Sequence, residues 1–328
     1  IRDSGLTGEI AARYGMGYAP DGWDGLRSVF PDYEVEALVE SGLVIDRVEE
    51  DGSHHKRYDR FRDRIMFPIR NTKGQVIGFG GRVLDNGEPK YLNSPETPLF
   101  QKGSELYGLF EARQAIREAG YALVTEGYMD VVALAQLGFP QAVATLGTAC
   151  TPIHVQKLLR QTDQVIFSFD GDKAGRRAAR RALEASLPHA GDNKVIKFLF
   201  LPSEHDPDSY IRELGSEAFE KQVQDAMPLS QFLLKEAVGD NDLGTPEGRA
   251  RAQFDAKPLL QALPPSSLRL QIVRSLAQIT ESTPAEIEAL FELSQPISHV
   301  RAPPPRTKRA APQGLERQII RLLVAHPV

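Results

Sequence analysis

Two apolar strands that stop at acid constrain this chain more than any other feature. Residues 122–125 form a short apolar run suited to a buried strand, which Glu126-Gly127 breaks before helical spacing begins over 128–137. About forty residues later Val165-Ile-Phe-Ser-Phe runs straight into Asp170, with Gly171 free to turn and Asp172 following. Glu126 and Asp170 are therefore expected at equivalent positions on neighbouring strands. The pattern repeats around them: strand 141–145, helix 151–161, strand 164–170, helix 174–187, strand 194–201, helix 208–214. Strands alternating with helices imply right-handed crossovers and a parallel sheet, in which ligands sit beyond the carboxyl ends of the strands.

The strand at 194–201 also runs into acid, in Pro202-Ser-Glu-His-Asp206-Pro-Asp208. Three strand ends thus deliver Glu126, Asp170, Asp172, Asp206 and Asp208 to one rim. Like charges in contact repel by about 4 kcal/mol per pair at an effective dielectric near 20, so clustered carboxylates need protons or cations. An all-oxygen ligand set favours a hard ion such as Mg2+ or Mn2+. Asp-Gly-Asp alone reads equally well as a solvated turn; carboxylates at three successive strand ends do not. Asp130, in the first helical turn after Glu126, reads as a favourable N-terminal charge.

Glu at the end of one strand and Asp-x-Asp at the end of another resemble the Toprim fold of primases and topoisomerases. The wider wording resembles the bacterial DnaG-type replicative primases: Val124-Thr-Glu-Gly-Tyr-Met-Asp-Val-Val-Ala-Leu, Thr145-Leu-Gly-Thr, Phe169-Asp-Gly-Asp-Lys-Ala-Gly-Arg and Asp206-Pro-Asp, with Arg60-Phe-Arg-Asp-Arg-Ile-Met-Phe-Pro-Ile and Lys90-Tyr-Leu-Asn-Ser-Pro-Glu-Thr upstream. The likeness runs roughly from the start of the chain to residue 300. It implies an α/β class, with a central Toprim-type parallel sheet flanked by helices (118–214), a basic α+β subdomain before it (1–117) and a helical subdomain after it (215–300). A Pro-rich linker (301–314) and the first helix of a truncated helicase-binding domain (315–328) would follow.

The implied activity is DNA-dependent RNA polymerisation: short RNA primers made on a single-stranded DNA template from ribonucleoside triphosphates. Glu126, Asp170 and Asp172 would be catalytic, and all five acids would hold or share two or more Mg2+ or Mn2+ ions. The replicative helicase would dock through the missing C-terminal domain. The family's N-terminal zinc ribbon has no counterpart in this sequence, so no zinc is expected here. A Toprim nuclease shares the acids but has no use for the Lys90 stretch. A topoisomerase needs a nucleophilic tyrosine in a further large domain, and a non-catalytic nucleic-acid-binding module would be expected to have eroded the acids.

At 328 residues the chain has room for two or three domains, and 41% hydrophobic residues can fill their cores. No apolar run approaches the roughly 20 residues of a membrane span, and no signal-peptide pattern opens the chain. Its start at Ile1 is the expectation for an excised fragment. One cysteine, Cys150, excludes an internal disulfide and a cysteine-cluster zinc site, consistent with a cytoplasmic protein. The net charge of −5 argues against indiscriminate nucleic-acid binding. However, residues 54–117 carry 12 Lys or Arg against 7 Asp or Glu, a net of +5 that leaves −10 elsewhere. A basic segment in an acidic protein marks a candidate nucleic-acid path.

Within that segment, residues 60–70 and 75–84 read as two strands around Asn71-Thr-Lys-Gly74. Period two puts Arg60, Arg62 and Arg64 on one face. They follow template phosphates, the choice the resemblance favours, or form a solvated face paired with Asp59 and Asp63. Gly78-Phe-Gly-Gly reads as strand glycines where backbones approach closely, since no helix or Gly-Lys-Ser/Thr follows. Lys90-Tyr-Leu-Asn-Ser-Pro reads as a basic loop. By resemblance Arg82, Lys90, Tyr91 and Asn93 border the nucleotide, with Lys90 on its triphosphate, and Lys102 borders the template.

Helices are expected at 7–14 and 33–41, and Trp23 is expected to pack. His154 lies inside a helix and receives no role. Lys173, Arg176, Arg177, Arg180 and Arg181 open the helix after Asp172; Arg176 is expected to face the acids and the others solvent. From 215 onward the signals are helical, at 216–226, 228–238, 246–262, 267–280 and 284–293, with a capping box at Thr283-Pro-Ala-Glu286.

Overall fold

The computed structural model describes residues 5–48, 55–84 and 87–293; the expected linker and last helix, 301–328, lie outside them. The first part runs α1 (Gly8–Arg13), β1 (Gly17–Ala19), α2 (Glu36–Glu40), β2 (Val44–Val48), β3 (His55–Asp59), β4 (Arg64–Arg70), β5 (Val76–Val83), β6 (Tyr91–Asn93) and α3 (Leu109–Ala119). Strands β1-β4-β5-β6 form an antiparallel sheet, and β2–β3 a separate antiparallel pair. Thr7 starts α1 by accepting from the Ile10 N–H.

The second part is β7 (Tyr121–Thr125), α4 (Tyr128–Gln136), β8 (Ala142–Ala144), α5 (Pro152–Leu159), β9 (Gln164–Phe169), α6 (Lys173–Ser186), β10 (Val195–Phe200) and α7 (Pro207–Leu214). Its strands lie in the order β10-β9-β7-β8, all parallel. The third part adds α8 (Ser216–Gln224), β11 (Met227–Pro228), α9 (Leu229–Val238), α10 (Pro246–Ala262), α11 (Ser267–Ile279) and α12 (Pro284–Leu290). The short β11 pairs antiparallel with the outer edge of β10.

Right-handed crossovers distribute the helices. The step from β7 to β8 puts α4 on one face, and the returns to β9 and β10 put α5 and α6 on the other. The packing agrees: α4, α7 and α8 share one cluster with Leu123, Ile166 and Leu199, while α3, α5 and α6 share another with Ala122, Val165 and Phe167. This second cluster continues without interruption into Phe232, Leu260, Leu276 and Ile287 of the helical part. Residue 215 therefore marks a change of secondary structure rather than a break in the core.

A third cluster joins the antiparallel sheet to α4. Tyr14, Phe67, Tyr107 and Tyr128 pack ring to ring there, with Phe67 and Tyr128 stacked at 5.4 Å. The glycine expectation holds: a Cβ on Gly80 would come within 2.6 Å of the Tyr128 ring, so the close approach of β5 to α4 requires glycine.

Three expectations change. The strand expected from residue 60 begins only at Arg64, because Asp63 takes a left-handed backbone (φ 48°) that breaks the extension. The Lys90 loop contains a strand, Tyr91–Asn93, which completes the sheet on β5. Helix α3, whose buried Leu109, Ala112 and Ile116 follow helical spacing, and the β2–β3 pair are elements the sequence reading does not include.

Candidate active site

The chemistry gathers at the carboxyl ends of β7, β9 and β10. Val124 pairs with Phe167, which sets Glu126 beside Phe169 and one residue short of Asp170. The two acids are neighbours, with a one-residue stagger rather than strict equivalence. The Asp-Gly-Asp turn is built tightly: a Cβ on Gly171 would lie 2.3 Å from the Leu201 carbonyl oxygen. Asp172 then caps α6, accepting from the Gly175 N–H at 2.7 Å, and Asp206 caps α7, accepting from the Ser209 N–H at 2.7 Å. Both acids are thereby held at helix N-termini, where negative charge is favoured.

The acids perturb one another. Burial raises the Glu126 carboxyl above its ordinary range, helped by the charges of Asp170 and Asp172. Asp170 is raised by burial, then by Asp206 and Asp172. Asp130 moves furthest, to about 7: burial leads, Asp206 and Asp170 add to it, and a 3.1 Å hydrogen bond from the Gly127 N–H opposes it. Asp130 is thus a further member of the mutually repelling group. The sequence reading of Asp130 as a charge at the start of the helix holds, since its carboxylate accepts from the Gly127 N–H there; that it also feels Asp206 and Asp170 is visible only in the fold. Asp208 stands apart, accepting from Arg212 Nε at 2.8 Å.

Among the described residues no three His, Cys, Asp or Glu side chains close into a cage for an ion. The donor set nevertheless fits hard divalent cations of the Mg2+ kind. These ions keep several waters and take one or two carboxylates plus phosphate oxygens rather than an all-protein shell. An open rim of oxygen ligands strained by like charge is such a site.

Opposite the rim stands the β5–β6 edge. Tyr128 donates from its hydroxyl to Asn93 Oδ1, and Asn93 Nδ2 donates to the Leu146 carbonyl at 2.9 Å. Asn93 therefore latches the antiparallel sheet to the parallel one. Tyr91 is raised by burial and feels the charge of Asp130, and Arg82 lies 5.9 Å over its ring. Lys90 is exposed, with no side-chain partner among the described residues. Lys102 is fixed through its backbone: its N–H donates to Glu96, and its carbonyl accepts from His154 Nε2 at 3.0 Å. His154 Nδ1 accepts from the Thr151 N–H, so the buried ring is neutral with its proton on Nε2.

The arginines do not form the expected comb. Arg60 Nε donates to the Asn93 carbonyl, Arg62 donates to the Asp59 carbonyl at 2.6 Å, and Arg64 is buried, donating to the Pro89 carbonyl at 2.8 Å. The alternative ion pairs are absent too. The Asp59 carboxylate accepts from Tyr33 and the Leu26 N–H, and Asp63 from Tyr18. Trp23, expected to pack, is 57% exposed. Arg62 lies 4.1 Å and Lys56 5.2 Å from its ring, with Tyr58 edge-on. Arg176 lines a cavity together with Gly171, Ser203, Phe200, Phe232 and Glu236.

A parallel sheet with acids at three strand ends, facing a basic antiparallel sheet, is a Toprim-type catalytic arrangement. Family models match in register with these parts: the N-terminal domain of the DNA primase catalytic core over 1–113, a Toprim-like domain over 123–211, and the DnaB-helicase binding domain of primase over 230–283. The DNA primase of Neisseria meningitidis is 49% identical over 98% of this chain and 55% of its own length. A DNA primase domain from Pseudomonas aeruginosa superposes with a TM-score of 0.83 at 47% identity, over 89% of this chain and 91% of that one. A DnaG primase catalytic domain bound to ssDNA gives 0.80 at 46%, over 87% and 89%. The chain belongs to the bacterial DnaG-type primase family. It spans about half the length of the curated relatives it matches. The helicase-related match falls on 230–283, within the helical part. Among the described residues no helix is long and apolar enough to cross a membrane.

Proposed function

We propose that this chain is the RNA-polymerising core of a cytoplasmic bacterial primase, which makes short RNA primers on single-stranded DNA from ribonucleoside triphosphates. The observation that carries the proposal is the convergence of Glu126, Asp170 and the two helix-capping acids Asp172 and Asp206 at adjoining strand ends, with Asp130 in the first turn of α4 beside them, opposite an edge bearing Arg82, Lys90 and Tyr91. Glu126, Asp170, Asp172, Asp206 and Asp208 would hold the Mg2+ or Mn2+ ions. When bound, such ions lower the pKa of the attacking 3′-hydroxyl and neutralise charge on the leaving pyrophosphate. The chain's own work is to position. Lys90 meets the triphosphate, Tyr91 and Arg82 flank the nucleotide, and Asn93 holds the edge against α4. Asp208 joins the site once Arg212 releases it.

The template is assigned to the Trp23–Tyr58 face, where Arg62, Lys56 and Arg60 supply positive charge beside the exposed Trp23 ring and the half-buried Tyr58. Aromatic rings with cations are the usual means of holding single strands. Lys102, held beside His154, is assigned to the template as well, and Arg64 contributes by bracing the Pro89 loop. The replicative helicase is the partner proposed for the helical part, because 230–283 carries the matching description. The test is incubation with single-stranded template, labelled ribonucleotides and Mg2+ or Mn2+. Short RNA complementary to the template is expected; cleavage of the DNA without RNA synthesis would instead make the chain a Toprim nuclease.

A further inference from the structure

We propose that the exposed face of α6, bearing Lys173, Arg177 and Arg181, holds the backbone of the primer–template duplex as it leaves the acidic rim. The proposal rests on the polymerase reading above. These residues recur every four along a 14-residue helix whose opposite face, Gly175, Ala179, Ala182 and Leu183, is buried. All three are exposed. Among the described residues none has an acidic partner, in contrast to Arg180 on the same helix, which binds Glu184 at 2.8 Å and Glu236 at 3.2 Å.

The placement is unfavourable for the helix by itself. Like charges four residues apart repel, and Lys173 occupies the first turn, against the positive end of the helix dipole. A polyanion reverses both effects. The stripe also starts where the chemistry is, because Asp172 caps this helix, and it runs roughly 12 Å back along the sheet. On a duplex, phosphates recur at about 3.4 Å of axial rise per strand, so the stripe spans roughly three or four of them.

One observation selects a duplex over a single strand. Residues 173–186 contain no aromatic side chain, so the face offers no ring on which an unpaired base could stack. A duplex keeps its base faces stacked inside and lines its outer surface with phosphate. The Trp23–Tyr58 platform, by contrast, supplies such rings, with Tyr58 on β3 of the separate β2–β3 pair.

The experiment uses the full chain and the Arg177→Gln/Arg181→Gln double variant. Fluorescence anisotropy measures affinity for a short RNA–DNA hybrid and for single-stranded DNA of equal length across a salt series. The double variant is expected to lose about tenfold or more in hybrid affinity at low salt. The slope of log K against log[salt] should shrink by about 0.9 for each phosphate no longer neutralised, while single-strand binding stays unchanged. Arg181→Gln alone should give part of the same change, which guards against a folding artefact in the double variant. An unchanged hybrid slope, an equal loss for both ligands, or no hybrid binding by the parent would overturn the proposal. Hybrid binding requires no synthesis, so a parent that makes no RNA would contradict the polymerase reading separately.

Discussion

Asp130 and Lys90 are the two residues on which the site's chemistry is most sharply testable. In the fold the Asp130 carboxyl sits at about 7, against an ordinary 3.8. The folded state therefore binds a proton that the unfolded state has released. Its stabilising contribution is full below about pH 4 and is lost as pH rises through about 7. The melting temperature of metal-free protein should accordingly fall between pH 5 and pH 8, and Asp130→Asn should flatten that fall. The residual slope would belong to Glu126 and Asp170, and added Mg2+ should restore more stability at pH 8 than at pH 5. Parallel melting curves for parent and variant would remove Asp130 from the group. Lys90→Ala tests the opposite wall: a raised nucleotide KM or a lowered kcat is expected, with single-strand affinity intact. The reverse pattern, intact kinetics with weakened DNA binding, would move Lys90 to the template.

At the scale of elements, what the sequence revealed and what it hid have separate physical causes. The parallel sheet and its acids were legible because buried strands are short apolar runs, and Glu126, Asp170 and Asp206 stand where those runs stop. The arginine comb was misread because one residue, Asp63, leaves the extended region, and period-two reasoning cannot detect a left-handed residue. Trp23 was misread because the cations beside it come from 33 and 39 residues away, at Lys56 and Arg62, a proximity created only by the fold. That platform makes its own prediction. Arg62→Ala should weaken single-strand binding for all sequences alike and reduce the salt slope by roughly 0.7, while Trp23→Ala should weaken binding by about 1–3 kcal/mol with the slope unchanged. Equal slopes for Arg62→Ala and parent would place the template elsewhere.

At the scale of the whole molecule, the parallel sheet and the helical part share one continuous core. Phe198 of β10 packs on Phe232 of α9 at 4.7 Å, and Asp192, beside the sheet, accepts from the Ser267 and Leu268 N–H groups at the start of α11. Phe232→Ala should therefore cost about 3–5 kcal/mol and lower a single melting transition rather than split it; two separated transitions would show the parts to be independent. Everything proposed for this molecule depends on the carboxylates at the strand ends carrying metal-dependent RNA synthesis. Asp170 is the sharpest probe of that dependence, because it caps no helix and Asn preserves its volume. Mn2+ affinity and RNA yield on single-stranded DNA are to be measured for parent and Asp170→Asn. Mn2+ binding should weaken and the yield fall by about a hundredfold or more, in a protein whose metal-free melting temperature is equal to the parent's or higher. Parental RNA yield together with unchanged Mn2+ affinity would refute the metal-site assignment.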